Sequence, residues 1–240
     1  MKRIVVIFTC ILLFACITFG GVVDFTSPAW TIVEEIDNVT VTSTTTSVDD
    51  LDRDETTYVV EAAADQSISL AGDFFHRFEM QMSDSLNASY IIYWAVAESE
   101  GDRAAIVGRS EDFVFIRITN ILGVLGLGIF TVEDGSFVVN DTMTVTTGVT
   151  YYVTVYRDDD GGANSTGQYT VWVRTGSHIG TLVDTLTVDA SAGEQNDYSY
   201  IYSLMGVGDA GGGATADGFT QNMDLATTDI TSHLLRVRNQ

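Results

Sequence analysis

Most of the chain consists of short runs of apolar and aromatic residues separated by breaks of Gly, Asp, Asn and Ser. The runs are rich in Val, Ile, Thr, Tyr and Phe, which favour strands over helices. In GDFFHRFEMQM (72–82), Phe74, His76 and Phe78 fall on one face of a strand, while Arg77 and Glu79 fall on the other. This period predicts strands with one face in a core, and it places His76 in or beside that core. Eleven such strands are predicted, at 39–43, 57–61, 73–82, 89–97, 112–119, 126–132, 150–157, 167–174, 182–188, 198–206 and 218–225.

Closely spaced strands without a long helical pattern predict an all-β fold. The fold class that we expect is an antiparallel β-sandwich, a jelly roll of two packed sheets. The Ser- and Thr-rich segment TVTSTTTSVDD (40–50) is predicted to be an exposed edge strand with a loop, because its β-branched residues lie between strands.

The N-terminus has a different pattern. Lys2 and Arg3 precede a long apolar run and then small residues, which is the layout of a secretory leader. We expect cleavage after Gly20 and an extracellular or cell-surface protein; an acylated Cys16 and an uncleaved anchor helix are the two alternatives. The predicted organisation is a leader at 1–20, a short tether at 21–29, a jelly-roll domain at 30–227 and a C-terminal tail at 228–240.

The charge of the chain restricts its partners. The formal net charge is −22, and it is near −24 without Lys2 and Arg3 of the leader. Such a surface repels nucleic acid and anionic lipid, so no nucleic-acid partner is expected, and membrane contact is expected only through the leader or a lipid anchor. Both cysteines, Cys10 and Cys16, lie in the leader, so the exported chain is predicted to have no internal disulfide.

Several strand-like segments follow one another in a recognisable order along the chain. They are WTIVEEIDN, VTVTSTTTS, GDFFHRFEMQM, YIIYWAVAE, TGVTYYVTVYRD, TLVDTLTVD, DYSYIYSLMGVGD and DGFTQNMDL. Over about residues 30–225 the chain resembles the concanavalin A-like, laminin G-like jelly rolls, and this resemblance implies a sandwich fold. The superfamily includes lectins, glycosidases, adhesion modules and structural proteins, so the resemblance does not define an activity.

The resemblance also provides a test for catalysis. Members that cleave β-glucans carry an E-x-D-x-x-E strand motif, in which one glutamate attacks the sugar and the other protonates the leaving oxygen. The nearest match here begins with Glu35 and Asp37, but Thr40 stands where the third acid should be. The acidic cluster at 98–102 does not have this spacing and lies in a predicted turn. We therefore expect a protein without enzymatic activity.

Sugar recognition requires a flat apolar ring surface with hydrogen-bonding groups around it. The aromatic-rich strands offer such rings, and the Gly-rich connection at 206–218 is a second candidate region. We expect a glycan or cell-surface polysaccharide as the partner; a structural surface protein that assembles into a homo-oligomer is the alternative. The candidate ligand-binding residues are Trp94, Arg77, Tyr200, Trp172 and Asp209.

The segment RDDDGGANSTG (157–167) joins two predicted strands and concentrates oxygen ligands. Asp158, Asp160 and Asn164 are the types of ligand that calcium prefers. The spacing departs from D-x-D-x-D-G, and no glutamate follows to close the shell. The sequence therefore leaves two interpretations, a solvated acidic hairpin tip and a low-affinity calcium site.

Overall fold

The computed structural model describes residues 22–52, 54–86, 89–163, 165–190, 198–206 and 213–226. These residues contain fourteen strands and one short helix. In chain order they are β1 (Thr31–Val33), β2 (Val39–Val41), β3 (Thr45–Asp52), β4 (Tyr58–Ala62), β5 (Phe74–Ser85), β6 (Tyr90–Ala97), α1 (Arg103–Gly108), β7 (Phe113–Ile121), β8 (Val124–Glu133), β9 (Ser136–Val145), β10 (Tyr151–Asp158), β11 (Gln168–Thr175), β12 (Thr181–Asp189), β13 (Tyr200–Met205) and β14 (Thr215–Ala226).

The strands form two antiparallel sheets of seven strands each. The first sheet has the order β1-β4-β13-β6-β7-β8-β9, and the second has the order β12-β11-β10-β5-β14-β3-β2. The sheets pack face to face as a sandwich, which confirms the predicted fold class. All eleven predicted strands are present, with ends that differ by up to three residues.

Side chains from the facing surfaces of the two sheets form the inner core. The alternation in β5 places Phe74, Phe78 and Met80 in this core, as the sequence predicted. His76 is also fully buried there, and it accepts a hydrogen bond at Nδ1 from Trp94 Nε1 (3.1 Å), which confirms the predicted core histidine. Burial lowers the pKa of His76 to about 3, because a charged imidazole loses its hydration in an apolar interior.

A second apolar cluster, the outer core, lies on the face of the first sheet that points away from the second sheet. Strand β7 serves both cores, since Val114 and Ile116 point inward while Phe113 and Phe115 point outward. The helix α1 covers part of the outer core with Ile106. The first sheet is therefore buried on both faces in this region, which explains the nearly continuous apolar runs of β6 and β7.

The N-terminal segment before β1 differs from the predicted tether. Phe25 is 1% exposed and its ring packs edge-on against Trp30 at 4.9 Å. Val23 N also donates a hydrogen bond to Met223 O (2.7 Å). The predicted tether is therefore packed against the sandwich at Val23 and Phe25, which belong to the inner core, whereas Val22 is exposed. The predicted leader, with Cys10 and Cys16, and the predicted tail lie outside the described residues. Within the described residues, no helix has the length and apolar character needed to cross a bilayer.

One carboxylate links the two sheets at a shared border of the sandwich. Strands β9 and β12 are the edge strands of the first and second sheets. Asp141 of β9 accepts a hydrogen bond from Thr142 N (2.9 Å) and another from Thr187 N of β12 (2.9 Å). On the same strand β12, Asp184 accepts a hydrogen bond from Thr185 N (2.8 Å).

Candidate functional site

Three aromatic rings form a cluster, the aromatic triad, on the outer face of the second sheet. Phe75, Tyr156 and Trp172 come from the neighbouring strands β5, β10 and β11. Their ring centroids lie 6.3 Å (Phe75–Tyr156), 6.3 Å (Phe75–Trp172) and 6.4 Å (Tyr156–Trp172) apart, and the planes of Tyr156 and Trp172 differ by only 13°. Phe75 is buried at the base, while Tyr156 and Trp172 are half-buried. The triad therefore combines a tight packing arrangement with accessible ring surface.

The strand register brings Arg77 to the triad. Arg77 lies opposite Thr154 of β10, and Thr154 lies opposite Trp172 of β11. Two strand spacings, about 10 Å, therefore separate the backbones of Arg77 and Trp172. The guanidinium carbon of Arg77 lies 5.0 Å from the Phe75 ring centroid. Two of the five predicted ligand-binding residues, Arg77 and Trp172, thus share one surface.

Phe75 and Tyr156, the other two members of the triad, were not among the predicted ligand-binding residues. Phe75 lies on the polar face of the β5 pattern, between Asp73 and Arg77. An aromatic residue on a polar strand face indicates a ring on the outer surface of the sheet. Tyr156 was hidden because Tyr151, Tyr152 and Tyr156 all lie in one strand, and their roles depend on which face is buried.

Two titratable side chains at the polar border of the triad, Tyr156 and His178, have shifted pKa values. Burial, followed by the carboxylates of Asp73 and Asp158, raises the pKa of Tyr156 to about 12. Its hydroxyl therefore keeps its proton at neutral pH. Next to Arg77, burial and then the charges of the nearby arginines lower the pKa of His178 to about 4, and its ring packs edge-on against Tyr152 at 5.4 Å.

The prediction that Trp94 binds ligand is wrong. Ile92 lies opposite Arg117 of β7, but Trp94 lies opposite Ile116, so β6 contains one more residue than β7 over this interval. This bulge breaks the simple alternation and places both Tyr93 and Trp94 in the inner core. Trp94 is 0% exposed and cannot present its ring to a ligand.

Tyr200 and Asp209 do not join the triad. Tyr200 is half-buried against the outer core of the first sheet, together with the fully buried Tyr202. Tyr198, two residues before the start of β13, packs in the inner core instead. Asp209 lies outside the described residues.

Residues of the acidic cluster at 98–102 form hydrogen bonds that hold the turn before α1 in place. Asp102 caps α1 by accepting a hydrogen bond from Ala105 N (2.7 Å). Tyr202 Oη accepts from Gly101 N (3.0 Å) and donates to Ser99 O (3.1 Å). These contacts attach the turn before α1 to β13.

The acidic loop joins β10 to β11, which confirms the predicted hairpin. Asp159 forms an ion pair with the fully buried Arg157 (2.9 Å), and Asp189 accepts hydrogen bonds from Gln168 Nε2 (2.7 Å) and Ala163 N (3.2 Å). Asn164 lies outside the described residues. No group of three or more His, Cys, Asp or Glu suited to a metal ion occurs in the described segments. Calcium at Asp158 and Asp160 stays a prediction.

A calcium site in this loop predicts a specific response to metal ions. At about 0.15 M salt, millimolar calcium should raise the melting temperature more than equimolar magnesium does, because magnesium requires a tighter octahedral shell. Asp160→Asn should remove the difference, and Asp184→Asn on β12 provides the control. Equal responses to both ions in the wild type would contradict a calcium site and support the solvated hairpin tip.

Comparisons with known proteins identify the fold. No family model matches the sequence, and no curated protein matches it. The binding domain of botulinum neurotoxin serotype C1 is similar with a TM-score of 0.52 at 10% identity, over 87% of this chain and 46% of that domain's chain. The legume lectin-like domain from Entamoeba histolytica gives 0.54 at 8% identity, over 83% of this chain and 90% of the other.

A third similar structure is the tailspike protein 2 from Escherichia coli O157:H7 bacteriophage CAB120, with a TM-score of 0.51 at 9% identity, over 90% of this chain and 29% of the tailspike. The chain thus spans about half of the neurotoxin chain and less than a third of the tailspike. At these identities the likeness shows the fold alone, a β-sandwich of two antiparallel sheets.

Proposed function

We propose that this chain is a non-catalytic carbohydrate-binding module, secreted or held at the cell surface, and that the aromatic triad is its sugar platform. The observation that carries this proposal is the arrangement of Phe75, Tyr156 and Trp172 within 6.4 Å of one another on an outer sheet face. The outer face of a two-sheet sandwich is normally polar, so a joined set of three rings there favours a binding role.

The chemistry of the triad suits a sugar. The C–H face of a pyranose is apolar and flat, and it loses water when it stacks on an aromatic ring. The sugar hydroxyls then need donors and acceptors at the border of the rings. Arg77 supplies N–H donors there, and the protonated Tyr156 supplies a hydroxyl.

Similar proteins support the proposal by analogy. The Entamoeba domain is described as legume lectin-like, and cell penetration by botulinum neurotoxin type C depends on interaction with two ganglioside molecules. The proposal that the chain is not an enzyme rests on the sequence, in which Thr40 occupies the position of the third acid of the E-x-D-x-x-E motif.

Replacing Trp172 with alanine should weaken glycan binding by about 1–2 kcal/mol, which raises Kd roughly 5- to 30-fold. A glycan array identifies the sugar, and calorimetry with that sugar gives Kd for the wild type and the variant. Because Trp172 is only half-buried, the melting temperature should change little. Tyr200→Ala, which removes a half-buried ring on the opposite sheet, is the control and should bind normally.

Two results would contradict the sugar platform. One is an array in which the folded wild type binds no glycan. The other is a glycan that binds Trp172→Ala as tightly as it binds the wild type, since the site would then lie elsewhere.

A structural, self-assembling role is the second candidate, and a different surface favours it. On the edge strand β12, two neighbouring large apolar side chains are exposed: Leu182 (46%) and Val183 (46%). Copies of the chain that pack through this surface would bury them. Concentration-dependent assembly in sedimentation experiments, lost in Leu182→Ser and unaffected by sugars, would support this role instead.

A further inference from the structure

A pocket of about 440 Å³ lies on the outer face of the first sheet, opposite to the face that bears the aromatic triad. Its apolar walls are the rings of Tyr90, Phe130 and Phe137, and two arginines, Arg103 and Arg117, line it with them. The volume is within the range of small-molecule sites, which are apolar clefts with a few placed polar groups.

Stacking on aromatic rings fixes the position of Arg117. Its guanidinium carbon lies 4.1 Å from the Phe130 ring centroid and 5.3 Å from that of Tyr90. Such contacts attract the cation electrostatically, and they hold the planar group in one orientation. A stacked guanidinium directs its N–H bonds sideways, in the plane of the group, where they can bind an anion.

A glycine makes this stacking possible. Gly128 of β8 lies opposite Arg117 of β7 in the sheet. A Cβ atom at position 128 would lie 2.8 Å from Phe130 Cε2 and 2.7 Å from Thr142 Cγ2. The absence of a side chain therefore lets the Phe130 ring lie across β8 and reach Arg117.

Helix α1 contributes the second charge. Arg103 is its first residue, and the guanidinium carbon of Arg103 lies 5.8 Å from the ring centroid of Phe137. The cap by Asp102 and the burial of Ile106 in the outer core fix the helix on the sheet. Arg103 and Arg117 thus reach one pocket from separate elements.

The charge of this pocket is opposite to that of the chain. The formal net charge is −22, yet the described residues that line the pocket include two arginines and no Asp or Glu. Arginine pairs with carboxylates through two parallel hydrogen bonds, whereas the aromatic walls favour the apolar face of a ring.

We propose that this pocket binds a carboxylate carried on a six-membered ring, with Arg117 and Arg103 on the carboxylate and Phe130, Tyr90 and Phe137 around the ring. Two kinds of molecule have this chemistry, the uronate residue of an acidic saccharide and a free aromatic carboxylate. The pocket and the aromatic triad lie on opposite faces of the sandwich, so this inference does not depend on the proposed sugar platform.

The test uses calorimetry on the full chain at about 0.15 M salt, which screens the general repulsion between an acidic protein and an anion. The probes are a glucuronate-containing oligosaccharide, its methyl ester, a neutral glucose oligomer of equal length, and benzoate. We expect the acidic oligosaccharide to bind at least about tenfold more tightly than the ester and the neutral oligomer, because only the free acid offers a charge to the arginines. Arg117→Gln should raise its Kd about 10- to 100-fold, and Arg174→Gln on the opposite face should leave it unchanged.

Arg117 packs among rings, so the folding of its variant needs a check. If Arg117→Gln does not fold, Arg103→Gln tests the same charge from the helix side, and we expect about a tenfold rise in Kd. Binding of benzoate without the oligosaccharide supports the carboxylate pocket and assigns it to aromatic acids. The inference is overturned if neither carboxylate binds up to about 10 mM, if the ester binds as tightly as the acid, or if folded Arg117→Gln and Arg103→Gln bind normally.

Discussion

Replacing Trp94 with alanine is expected to lower the free energy of unfolding by about 3–5 kcal/mol. Trp94 is fully buried between the sheets, where its ring lies 5.8 Å from the ring of His76 and 6.3 Å from that of Phe74. The substitution leaves a cavity in the inner core, and it removes the N–H that donates to His76 Nδ1. Urea unfolding at pH 7 measures the change through the midpoint and the slope.

Trp172→Ala is the matched control for this loss. It removes the same side chain from a half-buried position on the outer face, so we expect it to cost less than about 1.5 kcal/mol. If Trp94→Ala unfolds at the same urea concentration as Trp172→Ala, Trp94 is not the core residue that its burial indicates.

The second large effect is a loss of stability in mild acid. His76 is buried and neutral, with a folded-state pKa of about 3, whereas an unfolded histidine has a pKa of about 6.5. Below pH 6.5 the unfolded chain therefore binds a proton that the folded chain does not. The contribution of neutral His76 to the free energy of unfolding is fully present above pH 6.5. It is lost as the pH falls from 6.5 toward 3, by about 1.4 kcal/mol per pH unit.

His178 should add a similar slope over a narrower range. Its folded-state pKa is about 4, so it contributes between pH 6.5 and 4. Urea unfolding from pH 7.5 to 5 measures both contributions before most carboxylates titrate. His76→Gln keeps an acceptor for Trp94 Nε1 and should remove about half of the slope, and His178→Gln should remove a similar share. A slope that survives in the double variant would show that other groups cause the acid sensitivity.

Much of the fold followed from the sequence because its signals are local. The two-residue period and the β-branched residues of β5, β7 and β10 are strong enough to place these strands without knowledge of their neighbours. The strands and the helix that were not predicted lack such signals. Strand β1 has only three residues, and the apolar sequence of β9 is interrupted by the polar residues Asn140 and Asp141. Helix α1 has six residues, too few to show a helical period.

The candidate sites depended on information that the sequence does not show. Arg77 and Trp172 meet because β5, β10 and β11 are neighbours, and this order is a property of the whole sheet. Trp94 was placed wrongly because a one-residue bulge in β6 reverses the face of its side chain. Arg117 did leave a local signal, since it is a charged residue within the apolar run FVFIRI of β7.

The contacts of Asp141 bear on how this protein avoids aggregation. An edge strand with unsatisfied N–H groups is a template for the addition of another strand, and a chain made almost entirely of strands is especially exposed to this hazard. Here the carboxylate of Asp141 occupies one N–H of β9 and one of β12, and Asp184 occupies the next outward N–H of β12. A foreign strand that approaches this border must displace carboxylates before it can form a ladder. Asp141 and Asp184 thus protect the edges of the sandwich against strand addition, and the side chain of Asp141 alone serves both sheets.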